Sequence, residues 1–258
     1  MKTIFVVAAH PDDEVLGCGG TLLKHVHDGD KVYILFISDG VSGRFKEKDS
    51  DKCLKEISNR EIMARKVSSL GKFKIVDFLN LKNLELSSYP HNYITNIIVK
   101  YFKKYKPDVV GLSAVFMHSY PHLKRIANLI REILPNTWIV VGGNVTSSSH
   151  VILEKTETDI CVVGDGEKPF IKLLDYIKSN PDRTNIDYDK FLDVKGLSYK
   201  NQKNELIVTG NADQMSAPEM QYCDYDKYKE GLELFGGDGN LIMETFDLIE
   251  NPSDVEKY

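Results

Sequence analysis

Between residues 2 and 180 short apolar runs alternate with amphipathic stretches, and few architectures accept that order over such a length. The apolar runs fall at 2–9, 31–37, 74–79, 108–113, 138–141 and 159–163 and read as strands. They are continuous runs of Val, Ile and Leu rather than alternating ones, which fits strands covered on both faces. Helical periodicity follows at 15–28, 57–70, 93–105, 121–134 and 168–178, with Gly71, Pro107 and Pro135 as stop signals. Residues 42–56 read as a charged loop. The pattern predicts an α/β fold with a Rossmann-like, doubly wound, mostly parallel sheet over residues 1–180. Residues 181–258 break the rhythm and are rich in Asn, Asp, Lys and Tyr. They are expected to form a mixed C-terminal extension with one hairpin, from 196–200 and 205–208.

The first strand closes on Ala9-His10-Pro11-Asp12-Asp13-Glu14, and Gly17-Cys18-Gly19-Gly20-Thr21-Leu22 opens the next helix. One imidazole and three carboxylates therefore sit on a strand-to-helix turn, where open α/β sheets place their ligands. A histidine and a carboxylate three residues apart can face one metal ion. A neighbouring carboxylate is then left free to act as a base, the minimum kit for activating water on zinc.

Bulk properties narrow the classes. The chain has 258 residues and a net charge of −5 with no dense basic tract, which argues against nucleic-acid binding through phosphate neutralisation. No apolar run reaches the ~20 residues of a membrane span, and the first apolar stretch is too short for a signal-peptide core. The expected location is cytoplasmic. Cys18, Cys53, Cys161 and Cys223 are far apart, a spacing that reads as reduced thiols. Among the other histidines, His25, His27, His91 and His150 read as solvated. So do Arg44 and Lys46 in the loop after the second strand.

Residues 1–112 resemble the PIG-L/LmbE family of zinc-dependent N-deacetylases. The resemblance is carried by His10-Pro11-Asp12-Asp13-Glu14, Phe36-Ile37-Ser38-Asp39-Gly40 and Arg60-Glu61-x-x-Ala64. Leu70-Gly71, Phe78-Leu79 and Lys106-Pro107-Asp108-Val109-Val110 add to it. It implies hydrolysis of the acetamide of a small N-acetylated sugar or similar amide, with zinc as cofactor. Carried over by position, His10 and Asp13 are zinc ligands and Asp12 is the general base. A third ligand is implied in the stretch Met117 to His122, with His122 the better match and His118 the substitute. The acidic residue of that motif is missing here, and Asn83 stands where an aspartate is usual after the third strand.

Residues 94–225 resemble instead the cobalamin-binding domain of B12-dependent radical SAM proteins. The matching stretches are Lys106 to Ser113, Ile139-Val140-Val141-Gly142-Gly143-Asn144 and Asp159 to Glu167, with Gly196 to Pro218 like the connector that follows such domains. This implies, as the alternative function, a corrinoid-binding module without catalysis, using Ser113, Gly142, Gly143, Gly164 and Glu167. Two features of the larger assembly are absent: an Asp-x-His-x-x-Gly motif and a C-x-x-x-C-x-x-C cluster motif. Neither half has enough strands alone, so one fused sheet is expected, joined at residues 108–113.

Overall fold

The computed structural model describes residues 1–212, apart from the side chains of Ser87, His91, Asn92 and His118. The chain divides into two compact units, with described parts of 1–91 and 92–212.

The first unit runs β1 (Thr3–Ala8), α1 (Asp13–His27), β2 (Lys31–Ser38), α2 (Asp51–Gly71) and β3 (Lys74–Leu81). Its sheet has the order β1-β2-β3, and both pairings are parallel. The central strand β2 is almost wholly buried because its apolar run meets helices and neighbouring strands. Its Val32, Ile34 and Phe36 pack with Leu22 of α1 and Ala64 of α2, and Phe36 stacks on Phe78 at 4.9 Å.

Helix boundaries differ from the periodicity for identifiable reasons. α2 starts at Asp51, well inside the expected loop, because the Ser50 hydroxyl caps it by accepting the Cys53 amide at 3.4 Å. It ends on Lys72 at φ 56, so this residue, not Gly71, is the left-handed cap. α1 is interrupted at Cys18 (φ −149), within the run Gly17 to Gly20 that weakens the helical ladder.

The second unit runs α3 (His91–Tyr105), β4 (Val109–Ser113), α4 (Tyr120–Ile133), β5 (Trp138–Gly142), α5 (Ser149–Lys155), β6 (Ile160–Val162), α6 (Glu167–Ser179), β7 (Leu197–Lys200) and β8 (Leu206–Val208). Its sheet order is β4-β5-β6-β7-β8. β4, β5 and β6 pair in parallel, and β7 and β8 continue the sheet antiparallel. The expected hairpin is thus the outer part of this sheet. Its turn is closed by the Asn201 side-chain oxygen, which accepts the amides of Lys203 and Glu205. Successive residues of β5 point to opposite faces. Trp138 and Val140 pack with Leu173 and Phe191, while Ile139 meets Ala127 and Ile130, and Val141 meets Ile152.

The class is α/β with parallel strands and a mixed C-terminal part, as expected. The single fused sheet is not what forms: β1–β3 and β4–β8 are separate ladders. Each unit has apolar clusters of its own. Among the described residues, no helix is long and apolar enough to cross a membrane.

Candidate functional site in the first unit

The segment joining β1 to α1 makes a tight turn. Asp13 N–H donates to the His10 carbonyl, and Val15 and Leu16 donate to the Asp12 carbonyl. Asp12 has φ 155, a region that costs a non-glycine residue on the order of 1–3 kcal/mol. The Glu14 carboxyl holds it there by accepting the Asp12 amide at 3.0 Å. Glu14 is buried, and that burial pushes its carboxyl up to about 7.

This turn brings three groups together. His10, Asp12 and Asp13 each offer one ligand atom, all within 4.8 Å of one another. Asp13 Oδ2 lies 3.2 Å from His10 Nδ1 and also accepts the His10 amide at 2.9 Å. In a tetrahedral zinc site with bonds of about 2.0–2.2 Å, adjacent ligand atoms stand about 3.3–3.6 Å apart, within reach of the observed 3.2 Å by a small shift. The His10–Asp13 separation and the imidazole–carboxylate donor set therefore fit zinc.

Three further segments shape the surroundings. Arg60, on α2, donates from Nη1 to Asp12 Oδ2 at 2.9 Å. Burial pushes the Asp12 carboxyl above its ordinary value, and the Arg60 charge opposes that shift. The turn after β2 is knotted by buried Asp39, whose Oδ1 accepts the amides of Val41 and Ser42 at 2.7 and 2.8 Å. Gly40 in that turn has φ +68, and a Cβ there would stand 2.9 Å from Arg60 Nη1 and 3.0 Å from His10 Cβ. Beyond β3, Asn83 Oδ1 lies 3.1 Å from His10 Nε2.

The residues implied by sequence are thus partly assembled. His10, Asp12 and Asp13 meet; Arg60, Asp39 and Asn83 join them without having been given a role there. The Ser38-Asp39-Gly40 and Arg60-Glu61 matches were the signal for two of these. His122 lies exposed in the first turn of α4, in the second unit, and the His118 side chain lies outside those described. His25 is not solvated as expected but pairs with Asp30 at 2.9 Å. Arg44 and Lys46 are exposed, as expected.

The residues of the corrinoid alternative line the strand ends of the second unit. Ser113 is paired in register with Gly142, Gly164 sits after β6, and Glu167 opens α6, exposed. Gly143 has φ +86, and a Cβ there would lie 2.5 Å from the Ala114 carbonyl oxygen. The close approach of that carbonyl accounts for the glycine without a ligand. The stretch of the connector beyond residue 212 lies outside the described residues.

The family described as PIG-L: GlcNAc-PI de-N-acetylase matches residues 5–133 of the 258, half of the chain. Among curated proteins, an uncharacterized methyltransferase, PH0819, of Pyrococcus horikoshii is 30% identical over 54% of the chain and 30% of its own length. The uncharacterized protein MJ1620 of Methanocaldococcus jannaschii is 29% identical over 57% of the chain and 25% of its own. The chain thus spans less than a third of the length of either relative. Among solved structures, N,N'-diacetylchitobiose deacetylase from Pyrococcus horikoshii is 22% identical, with a TM-score of 0.41, covering 74% of this chain and 73% of that one.

Proposed function

The chain belongs to the PIG-L family, and from that membership we propose that it hydrolyses the N-acetyl amide of a small sugar-like substrate at a zinc ion held by His10 and Asp13. The observation that carries this reading is the His10–Asp12–Asp13 group, which lies inside the family-matched segment. A bound zinc ion would acidify a water molecule and polarise the amide carbonyl. Asp12 takes the proton of the attacking water and returns it to the departing amine. Arg60 fixes the orientation of that carboxylate, and its charge favours the ionised form a base needs. Gly40 keeps the space beside His10 and Arg60 clear. His122 as third ligand is carried over from the sequence resemblance alone.

The cobalamin alternative has no comparable support: the Ala114 carbonyl accounts for Gly143, Ser113 and Gly142 are paired strand residues, and Glu167 opens α6.

The test is acetate release by the zinc-loaded full chain from a panel of N-acetylated hexosamines and their conjugates. Asp12→Asn is expected to keep its zinc and lose roughly 10²–10⁴-fold in kcat. Equal turnover by Asp12→Asn and the natural protein would overturn the assignment.

A further inference from the structure

We propose that Leu84 is a specificity residue of this site, its side chain meeting an apolar group that the substrate carries beside the scissile amide. This rests on the reading that the His10–Asp12–Asp13 group works on an N-acylated, sugar-like substrate. It narrows that class to one bearing an alkyl or similar group.

Leu84 is set apart by its backbone. Six non-glycine residues among those described have positive φ, and Leu84, at φ 64, is the one apolar residue of the six. Asn and Asp tolerate this region, whereas leucine rarely enters it. Leu84 is also 80% exposed. An exposed leucine alone is ordinary. Leu54 and Leu70, for example, are about half exposed on α2, within regular helix. A leucine that is both left-handed and left in water gains little from burial to offset its conformation.

That conformation is enforced from both sides. Two residues before it, Lys82 pairs with Asp49 at 3.0 Å, and one residue after it, Glu85 pairs with Lys48. Between them the Asn83 amide donates to the Ser42 hydroxyl at 2.7 Å. The loop after β3 is thus tied at residues 82, 83 and 85 to the loop after β2. Strained backbone persists where its surroundings over-determine it, and such positions gather at ligand sites.

The ties set Leu84 on the rim of the site. Its N–H donates to Asn83 Oδ1 at 3.0 Å, and His10 Nε2 lies 3.1 Å from that same oxygen. The Leu84 backbone and the imidazole therefore meet on one atom. The side chain lies over Gly43, where a Cβ would stand 2.9 Å from both Leu84 Cγ and Cδ1. Both loops leave the carboxyl ends of parallel strands, the side of an open sheet on which ligands bind. An apolar group held against Leu84 would take its surface out of water and add affinity for substrates that carry one.

The test is calorimetric binding of three probes to the zinc-loaded full chain carrying Asp12→Asn, in which turnover is slowed. The probes are the methyl glycoside of N-acetylglucosamine, its octyl glycoside, and the methyl glycoside of N-hexanoylglucosamine. One of the two alkyl-bearing probes is expected to bind at least roughly tenfold more tightly than the plain one. Which of them does so tells whether the apolar group belongs to the aglycone or to the acyl chain. Leu84→Asn is expected to erase that preference, to leave affinity for the plain glycoside unchanged, and to keep or raise the thermal midpoint. Leu70→Asn, which removes an exposed leucine from the last turn of α2, is expected to keep the preference.

No binding of any probe, or no preference before Leu84 is changed, overturns the proposal. So does a preference that survives Leu84→Asn, a loss shared equally by all three probes, or the same loss in Leu70→Asn. A fall of the thermal midpoint in Leu84→Asn assigns the side chain to folding and overturns it as well. Absence of acetate release from the acetylated probes by the chain with Asp12 intact would sink the hydrolase reading. A binding preference that depends on Leu84 would still stand in that case.

Discussion

Arg60 and Asp12 are 48 positions apart in sequence, yet Arg60 Nη1 donates to Asp12 Oδ2 at 2.9 Å, each side chain about one-fifth exposed. The pair binds the middle of α2 to the one residue of the turn between β1 and α1 that holds a strained backbone. Replacing Arg60 by Ala is expected to leave the Asp12 carboxyl half-buried without its counter-charge. We expect acetate release to fall by at least about tenfold, with the zinc content of the protein unchanged. Arg60→Lys should restore only part of the loss, since an ammonium does not reproduce the planar guanidinium geometry. Steady-state kinetics with metal analysis of the same samples checks both statements.

Gly40→Ala tests the crowding at the site. The substitution places a side chain at φ +68 and within 3.0 Å of both Arg60 and His10. The backbone term alone costs about 1–2 kcal/mol. A lower thermal midpoint and reduced zinc retention are expected together; an unchanged midpoint would show that the turn relaxes freely.

Acid should weaken the first unit through Asp30. Its carboxyl is held below the usual aspartate value by the Lys2 amide and by His25, which ties the start of β1 and the end of α1 to the loop before β2. A carboxylate with a depressed folded-state value stabilises the protein above the ordinary aspartate range near 4, and that contribution is lost as pH falls through the folded-state value. Asp30→Asn should therefore lower the urea midpoint at pH 7 and make little difference at pH 2. Equal effects at both pH values would rule out the charge as the cause.

In the second unit, Asp159 is the centre of a charged clamp. Its carboxylate accepts from Arg131 at 2.7 Å, from Arg183 at 3.1 Å and from the Ile139 amide at 2.8 Å. The Asp159 side chain is 8% exposed. Asp159→Ala removes the carboxylate shared by two guanidinium groups, which keep only backbone carbonyls and the Glu157 carboxylate, and leaves the Ile139 amide without its side-chain acceptor, a loss of about 2–4 kcal/mol. Chemical denaturation should show this as a large fall in midpoint; a change below 1 kcal/mol would mean that solvent replaces the carboxylate.

Much of the architecture is legible because strand burial leaves a direct trace in the sequence: β2 and β5 read as unbroken apolar runs and are buried as such. The first turn of α2 was hidden because its signal is a single capping hydroxyl, Ser50, inside a run of charges. α5 was missed for a related reason: its seven residues follow Ser147 and Ser148 and are too short to show a period. His10, Asp12 and Asp13 were legible because they are adjacent in sequence. Arg60 and Asn83 stand in stretches the resemblance marks, but their contacts with Asp12 and His10 have no local signature, because the side-by-side stacking of β1, β2 and β3 is what places them there.

That dispersal has a consequence for engineering. Residues 9–14 supply the candidate ligands, but the turns after β2 and β3 and the face of α2 supply their aim. Transplanting the hexapeptide into the strand-to-helix turn of another scaffold would carry the donors across and leave their alignment behind. The portable unit is the whole three-stranded layer with its two helices.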